Sequence, residues 1–127
     1  MDIEHLFNEA RSLHQQGNFE KAQSLYKKIL KRSPAQPDVL QLLGVLEAQN
    51  KRFDAALQLF RRSIALDPRN ANARSNFGNV LREIKRYQEA LDSFDNALAI
   101  NPNHVDAHAG KGSALVELGR PDEAIDD

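Results

Sequence analysis

Apolar residues recur along this chain at intervals of three and four residues, the spacing of one face of an α-helix. The clearest stretch runs from Leu40 to Ile64, where two such patterns are separated by the polar residues Asn50, Lys51 and Arg52. No stretch sustains the alternation of apolar and polar residues that a β-strand would give. We therefore predict an all-α chain built from pairs of helices.

The same pattern returns every 34 residues. The columns that share this period are Pro34, Pro68 and Pro102; Ala10, Gly44, Gly78 and Gly112; Ala22, Ala56, Ala90 and Ala124; Tyr26, Phe60 and Phe94; and Phe19, Phe53 and Tyr87. A period of this length is typical of stacked supersecondary units. Each unit ends at its proline, which cannot donate a backbone hydrogen bond and disfavours a helical residue before it. The predicted single domain, 1–127, therefore contains repeats 3–36, 37–70 and 71–104 and an incomplete fourth repeat at 105–127.

Helix boundaries follow from the polar breaks and the prolines. We predict helices at 3–16, 19–32, 37–50, 53–66, 71–84, 87–100 and 105–118, with the start of an eighth helix from residue 121. Gly17 suits the left-handed turn that ends a helix. The small residues Gly44, Gly78 and Gly112, with the alanine column, are expected where two helices cross closely, because a larger side chain would hold the backbones apart.

These columns resemble the tetratricopeptide repeat, whose signature is Trp-x2-Leu-Gly-x2-Tyr, then Ala-x3-Phe, then Pro. The chain matches this signature with Leu40-x2-Leu43-Gly44, Ala56-x3-Phe60 and Pro68, and then with Phe77-Gly78-x2-Leu81, Ala90-x3-Phe94 and Pro102. The Trp position instead holds Leu6, Leu40, Arg74 and His108. The resemblance implies an α-solenoid, a right-handed superhelix of about 3.5 repeats, and a non-enzymatic scaffold for protein–protein interaction.

In this family the first helices of successive repeats line a concave groove. The groove positions that the resemblance implies are Asn8, Arg11, Gln41, Leu42, Val45, Asn72, Ser75, Asn76, Asn79, Arg82 and Ser113. Amides dominate this set, and an amide can both donate to and accept from a peptide backbone. We therefore interpret the groove as a peptide-binding surface, against the alternative that the asparagines only add solubility.

Finer subclasses of the family fit less well. One subclass holds acidic chaperone tails with a clamp of lysine, asparagine and arginine, and the matching positions here are Phe7, Arg11, Leu42, Asn72 and Asn76. The required arrangement of lysine and asparagine is missing, so we do not expect that ligand. The amide ladder that precedes the catalytic domain of O-linked N-acetylglucosamine transferases is matched by Asn8 and Asn76 and broken by Leu42 and Gly110. The second repeat is also similar to bacterial arrays placed ahead of transferase domains, so a regulatory or substrate-recognition arm of a larger enzyme is an alternative function.

The overall charge is nearly balanced, at −1, but it is unevenly distributed: residues 3–36 carry a net charge of +3 and residues 105–127 a net charge of −4. Nucleic-acid binding requires a concentrated excess of cations, so we do not expect that partner. Six cations near the ends of the second helices, Lys27, Lys28, Lys31, Arg32, Arg61 and Arg62, are interpreted as complementing the helix dipoles and solvating the outer face. We expect no membrane segment, and a cytoplasmic location.

Catalytic and metal chemistry find little support in the sequence. His104 and His108 are four residues apart, but no third ligand follows, so we expect no metal and no cofactor. The segment Gly110-Lys111-Gly112-Ser113 lacks the strand and the following Ser or Thr that a phosphate-binding loop requires.

The incomplete fourth repeat suggests a further alternative. The apolar residues Leu115, Val116 and Leu118 should be partly uncovered, because a terminal repeat normally needs a polar cap. We therefore expect homo-oligomers formed through this end of the chain, and a self-assembling array is a second alternative function.

Overall fold

The computed structural model describes residues 2–120, which contain seven α-helices. They are α1 (Ile3–Gln15), α2 (Phe19–Arg32), α3 (Pro37–Gln49), α4 (Phe53–Leu66), α5 (Ala71–Glu83), α6 (Tyr87–Ile100) and α7 (Val105–Glu117). Every predicted helix start agrees, and the first helix of each repeat ends one residue earlier than predicted. The start of the eighth helix, predicted from residue 121, lies outside the described residues.

The helices form two compact units, Met1–Leu66 and Asp67–Asp127. In unit 1, α1 packs on α2, α2 on α3 and α3 on α4, whereas in unit 2 α5, α6 and α7 pack on one another. No strand is present between residues 2 and 120. The fold is therefore an all-α helical repeat of the solenoid class, as the sequence predicts. The assignment of all repeats to one domain stays a prediction.

The periodic small and aromatic residues form the cores of both units. Ala10, Ala22, Ala56 and Ala90 are fully buried, and Tyr26, Phe60 and Phe94 are no more than 1% exposed. A β-carbon added at Gly44 would lie 2.8 Å from Cε1 of Phe60, and one added at Gly78 would lie 2.8 Å from Cε1 of Phe94. These glycines therefore allow the aromatic ring of the second helix to contact the backbone of the first.

The crossing that the glycine column predicts at Gly112 stays a prediction, because the eighth helix that would pack there lies outside the described residues. Among residues 2–120, no atom outside the immediate surroundings of Gly112 on its own helix lies within 4 Å of a β-carbon built there. Gly110, which is not in the glycine column, makes a close approach of its own, because its α-carbon faces the ring of Phe94 across the α6–α7 contact.

Each turn inside a repeat has the same backbone geometry. The residues at 17, 51, 85 and 119 have positive φ angles of 81°, 62°, 67° and 75°. At each turn the N–H of the following residue donates a hydrogen bond to the carbonyl oxygen five residues earlier. Examples are Asn18 N–H to Leu13 O and Arg52 N–H to Glu47 O, both at 2.9 Å. This is the Schellman motif, which satisfies the last carbonyls of a helix. Gly17 confirms the sequence prediction, whereas the left-handed conformations of Lys51 and Lys85 were not predicted.

Lys51→Gly and Lys85→Gly are each expected to raise the free energy of unfolding by about 0.5–1 kcal/mol, because glycine adopts a positive φ without the clash of a β-carbon. Urea denaturation would measure the change. The matched control is Lys51→Ala, which removes the same charge but keeps the β-carbon and should give no gain. Equal gains from glycine and alanine would show that the charge, and not the backbone, sets the effect.

The apolar side chains at the end of α7 differ from one another in exposure. Leu115 is 1% exposed, so the prediction that it is partly uncovered is wrong. Val116 is 55% exposed and Leu118 is half-buried. Self-association through this end stays a prediction. No helix within residues 2–120 has the length and apolar character needed to cross a bilayer.

Candidate functional site

The first helices of unit 1, α1 and α3, border a pocket of about 480 Å³. Arg11 and His14 of α1, Leu42 and Gln49 of α3, and the ring of Tyr26 from α2 are among its walls. Arg11 and Leu42 both belong to the predicted groove set. The pocket therefore combines a cation, an amide and apolar surface at the place where the sequence predicts peptide binding.

His14 organises the polar side of this pocket by joining three helices. Its Nε2 lies 2.8 Å from Gln49 Oε1, and its Nδ1 lies 3.2 Å from the Tyr26 hydroxyl. With the amide oxygen as acceptor, Nε2 donates and Nδ1 accepts from Tyr26. Burial raises the pKa of Tyr26 to about 12, with a smaller opposing effect from Arg11. Tyr26 is therefore a neutral hydroxyl donor at any ordinary pH.

Aromatic rings hold Arg11 and His14 in place. The Arg11 guanidinium carbon lies 5.5 Å from the centroid of the Phe7 ring, and Phe7 is tilted against Tyr26 at 6.5 Å. His14 contacts Phe19 and Tyr26 edge-on at centroid distances of 5.6 and 6.0 Å. A guanidinium stacked on a ring is held in fewer conformations than a free side chain, yet its N–H donors remain available for a ligand.

In unit 2 the predicted groove asparagines lie on α5 and differ in their contacts. Asn72 Oδ1 lies 2.6 Å from His104 Nε2, while His104 Nδ1 accepts the Ala107 N–H at 3.1 Å as the N-cap of α7. His104 therefore connects α5 to the start of α7. The amide nitrogen of Asn72 is not used in that bond and can still donate.

Further along α5, Asn79 Oδ1 accepts a long hydrogen bond from Arg82 Nη2 at 3.4 Å, whereas Arg82 Nε is buried and has no hydrogen-bond partner among the described residues. The phenol of Tyr87 lies close enough to Glu117 and Arg82 for both charges to act on it. Burial and this carboxylate raise the pKa of Tyr87, and the Arg82 charge opposes them. Arg82, Tyr87 and Glu117 thus form a polar cluster that Arg82 joins to Asn79.

The predicted groove residues differ in accessibility. The four exposed residues are Asn8, Arg11, Asn72 and Ser113. The six half-buried residues are Gln41, Leu42, Val45, Asn76, Asn79 and Arg82, and the one buried residue is Ser75. Ser75 is only 1% exposed, and its hydroxyl has no hydrogen-bond partner in the part of the chain that the structure describes. Its inclusion among the accessible groove residues is therefore corrected: its side chain points into the unit, not toward a ligand.

Sequence reasoning missed His14, Gln49, Tyr87 and Glu117. Gln49 and Glu117 occupy one column of the 34-residue period, and Tyr87 stands in the column of Phe19. Their recurrence at one period was the sequence signal that could have identified these residues. Which of the side chains form hydrogen bonds, however, depends on how neighbouring helices pack.

The residues weighed for metal and phosphate chemistry have structural contacts instead. His108 Nε2 lies 2.6 Å from the Pro102 carbonyl oxygen, and His104 caps α7. No group of three metal-ligating side chains occurs within residues 2–120. Residues 110–113 lie inside α7 and are helical, so they do not form a phosphate-binding loop. Lys111 Nζ forms an ion pair with Asp95 Oδ1 at 3.1 Å.

Comparisons with known proteins agree with the repeat structure. MamA (MSR-1) is 25% identical and superimposes with a TM-score of 0.84, over 99% of this chain and 72% of that one. A further MamA crystal structure is 22% identical with a TM-score of 0.92, over 98% and 73%, which supports the fold alone. A mutant of the Thermobaculum terrenum O-GlcNAc transferase is 30% identical with a TM-score of 0.85, but 89% of this chain covers only 22% of it. No curated protein matches the chain.

Family models give the assignment. A model described as tetratricopeptide repeat matches residues 7–71, and two others of the same description match 59–92 and 81–126. The first of these alone spans more than half of the sequence. The chain therefore belongs to the tetratricopeptide repeat family.

Proposed function

We propose that this chain is a protein-interaction scaffold that binds an extended peptide along its first helices and carries out no catalysis. The observation that carries the proposal is the unit 1 pocket, because Arg11 and Leu42 border it together with the His14–Gln49 bridge. A site of about 480 Å³ is within the size range of ligand pockets, roughly 300–1,000 Å³.

The amides of α5 support the same function for unit 2. Asn76 and Asn79 are half-buried, so each residue remains partly accessible to a ligand. Such a group can bond the backbone of a peptide whatever side chains the peptide has. Arg82 is half-buried beside Asn79 and bonds its Oδ1 through Nη2, so its charge favours a carbonyl or carboxylate of a peptide bound to these amides.

Replacing Asn76 and Asn79 with alanine should weaken peptide capture at least tenfold, or about 1.4 kcal/mol, while leaving the free energy of unfolding nearly unchanged. The measurement is binding to an immobilised peptide array, followed by titration of the peptides that the parent protein captures. Two alanines on a helix are not destabilising on propensity grounds.

The matched control replaces Gln88 and Asn96, two exposed polar residues of the second helix α6, with alanine. This pair should bind peptides as the parent does. Capture that is equally strong in the Asn76 and Asn79 variant would contradict the proposal and leave the amides as solubilising groups.

A second candidate function is the substrate-recognition arm of a larger enzyme. The similarity to the O-GlcNAc transferase favours it, since 89% of this chain aligns with a small part of that protein. The parent reading frame distinguishes the two functions. A catalytic domain encoded after residue 127 would support the arm, and a stop codon close after that residue would contradict it.

A further inference from the structure

A second groove of about 590 Å³ lies in unit 1 between the second helices α2 and α4. Its floor and walls are apolar, with Leu30 from α2, Leu43 from α3 and Leu59 from α4. It is a different surface from the proposed peptide site, because that site is bordered by Arg11, His14 and other residues that do not line this groove.

Three cations form the rim of this groove: Lys27 and Lys31 from α2, and Arg62 from α4. All three are exposed, and the structure gives their side chains no hydrogen bond or ion pair with any residue from 2 to 120. Dipole complementarity explains cations at a helix end, but it does not explain why these three surround an apolar pocket. A positively charged rim above an apolar floor matches a ligand that has both acidic and apolar groups.

The one acidic group that lines the groove, Glu47, is already partnered. Its carboxylate is only 6% exposed, accepts a hydrogen bond from Gln23 Nε2 at 2.6 Å, and lies 3.4 Å from Arg52 Nη1. Its charge is thus balanced at the base of the groove and does not offset the cations of the rim. The charged residues that line the groove are therefore three exposed cations and one partnered carboxylate.

We propose that this groove docks an acidic, amphipathic segment of a partner protein, with leucine- or isoleucine-type side chains against the floor and Asp or Glu against the rim. We choose an acidic occupant because its carboxylates would complement the three cations of the rim. Exposed ion pairs are individually weak, so the apolar contacts would supply most of the affinity and the rim would select for acidic sequences and speed association. An all-basic or uncharged segment of the same apolar content would lack that selection.

The test uses the whole chain and a fluorescent peptide of about 14 residues, which spans about 21 Å as a helix. Leucine occupies one helical face of the peptide, Asp and Glu the other, and a second peptide carries Lys at every acidic position. Fluorescence anisotropy should show saturable binding of the acidic peptide that weakens as salt is raised, and at least tenfold weaker binding of the basic one. Equal binding of the two peptides would overturn the proposal.

The double variant Lys31→Glu and Arg62→Glu should weaken binding of the acidic peptide at least tenfold, about 1.4 kcal/mol. The matched control is Lys21→Glu with Lys28→Glu, which makes the same change in net charge at exposed residues outside the groove and should change the affinity less than twofold. Circular dichroism shows whether both variants remain helical. An equal loss in the control would overturn the proposal, since net charge alone would then explain binding.

Other occupants give distinct results. If sedimentation shows that the parent self-associates and that Lys31→Glu with Arg62→Glu abolishes this, the occupant is a second copy and the proposed partner is wrong. Displacement of the peptide by duplex DNA at lower concentration than by unlabelled peptide would assign the rim to phosphate and also overturn the proposal. The Asn76 and Asn79 alanine variant should bind the acidic peptide normally, so that failure of the peptide site of the first helices is distinguishable from failure here.

Discussion

Ala90→Glu should lower the free energy of unfolding by more than about 3 kcal/mol, the largest effect that we expect from one substitution in this chain. Ala90 is fully buried on α6, and its column is occupied by alanine in all four repeats. A glutamate there would either bury a charge or push α6 away from its neighbours. Both alternatives disrupt the packing of unit 2.

Urea denaturation followed by circular dichroism measures this effect. The matched control is Ala109→Glu, the same substitution at an exposed position of α7, which should change stability by no more than about 0.5 kcal/mol. An Ala90→Glu variant with the midpoint of the parent would show that the alanine column does not mark a close helix crossing.

Gly110→Ala and Gly112→Ala are expected to change the free energy of unfolding in opposite directions, although both glycines are adjacent to Lys111. A β-carbon at Gly110 would lie within 3 Å of three atoms of the Phe94 ring, whereas one at Gly112 meets no described atom within 4 Å. Phe94 is fully buried, so its ring cannot move away without disturbing the core. Overpacking of this kind typically costs about 1–3 kcal/mol.

The alanine at 112 should instead stabilise α7 by up to about 1 kcal/mol, because alanine loses less backbone entropy in a helix than glycine does. We therefore expect a difference of roughly 2–3 kcal/mol between the two variants in urea denaturation. Stabilisation by both substitutions would show that α7 can shift away from Phe94, and destabilisation by both would show that Gly112 also faces a packed surface.

Much of the helical architecture was predictable because each repeat contains its own signals. The 34-residue period aligned five columns, and the prolines and polar breaks located the helix starts at residues such as 37, 71 and 105. These features act through local backbone chemistry and helix amphipathicity, which depend on neighbours in sequence. The predicted ends of the first helices were each one residue too late, because the last predicted helical residue belongs to the Schellman turn.

The candidate sites were predictable only in part. The groove set was obtained by assigning whole columns to one face, and Ser75 shows the limit of that method, since the structure buries its side chain. The pocket of unit 1 depends on His14 reaching Gln49, 35 residues away, and on the Phe7 ring beneath Arg11. No local pattern specifies such pairings.

The sequence by itself determined the secondary structure, the family and the core columns, because repeated spacing records which side of each helix must be buried. The tertiary structure decided that Gly110 meets the ring of Phe94 and that certain exposed cations border an apolar groove. Gly110 and Gly112, and Lys31 and Lys28, differ little in their sequence surroundings. Their different environments arise from the rotation of each helix against its neighbours, which sets distances of a few ångströms that sequence spacing does not encode.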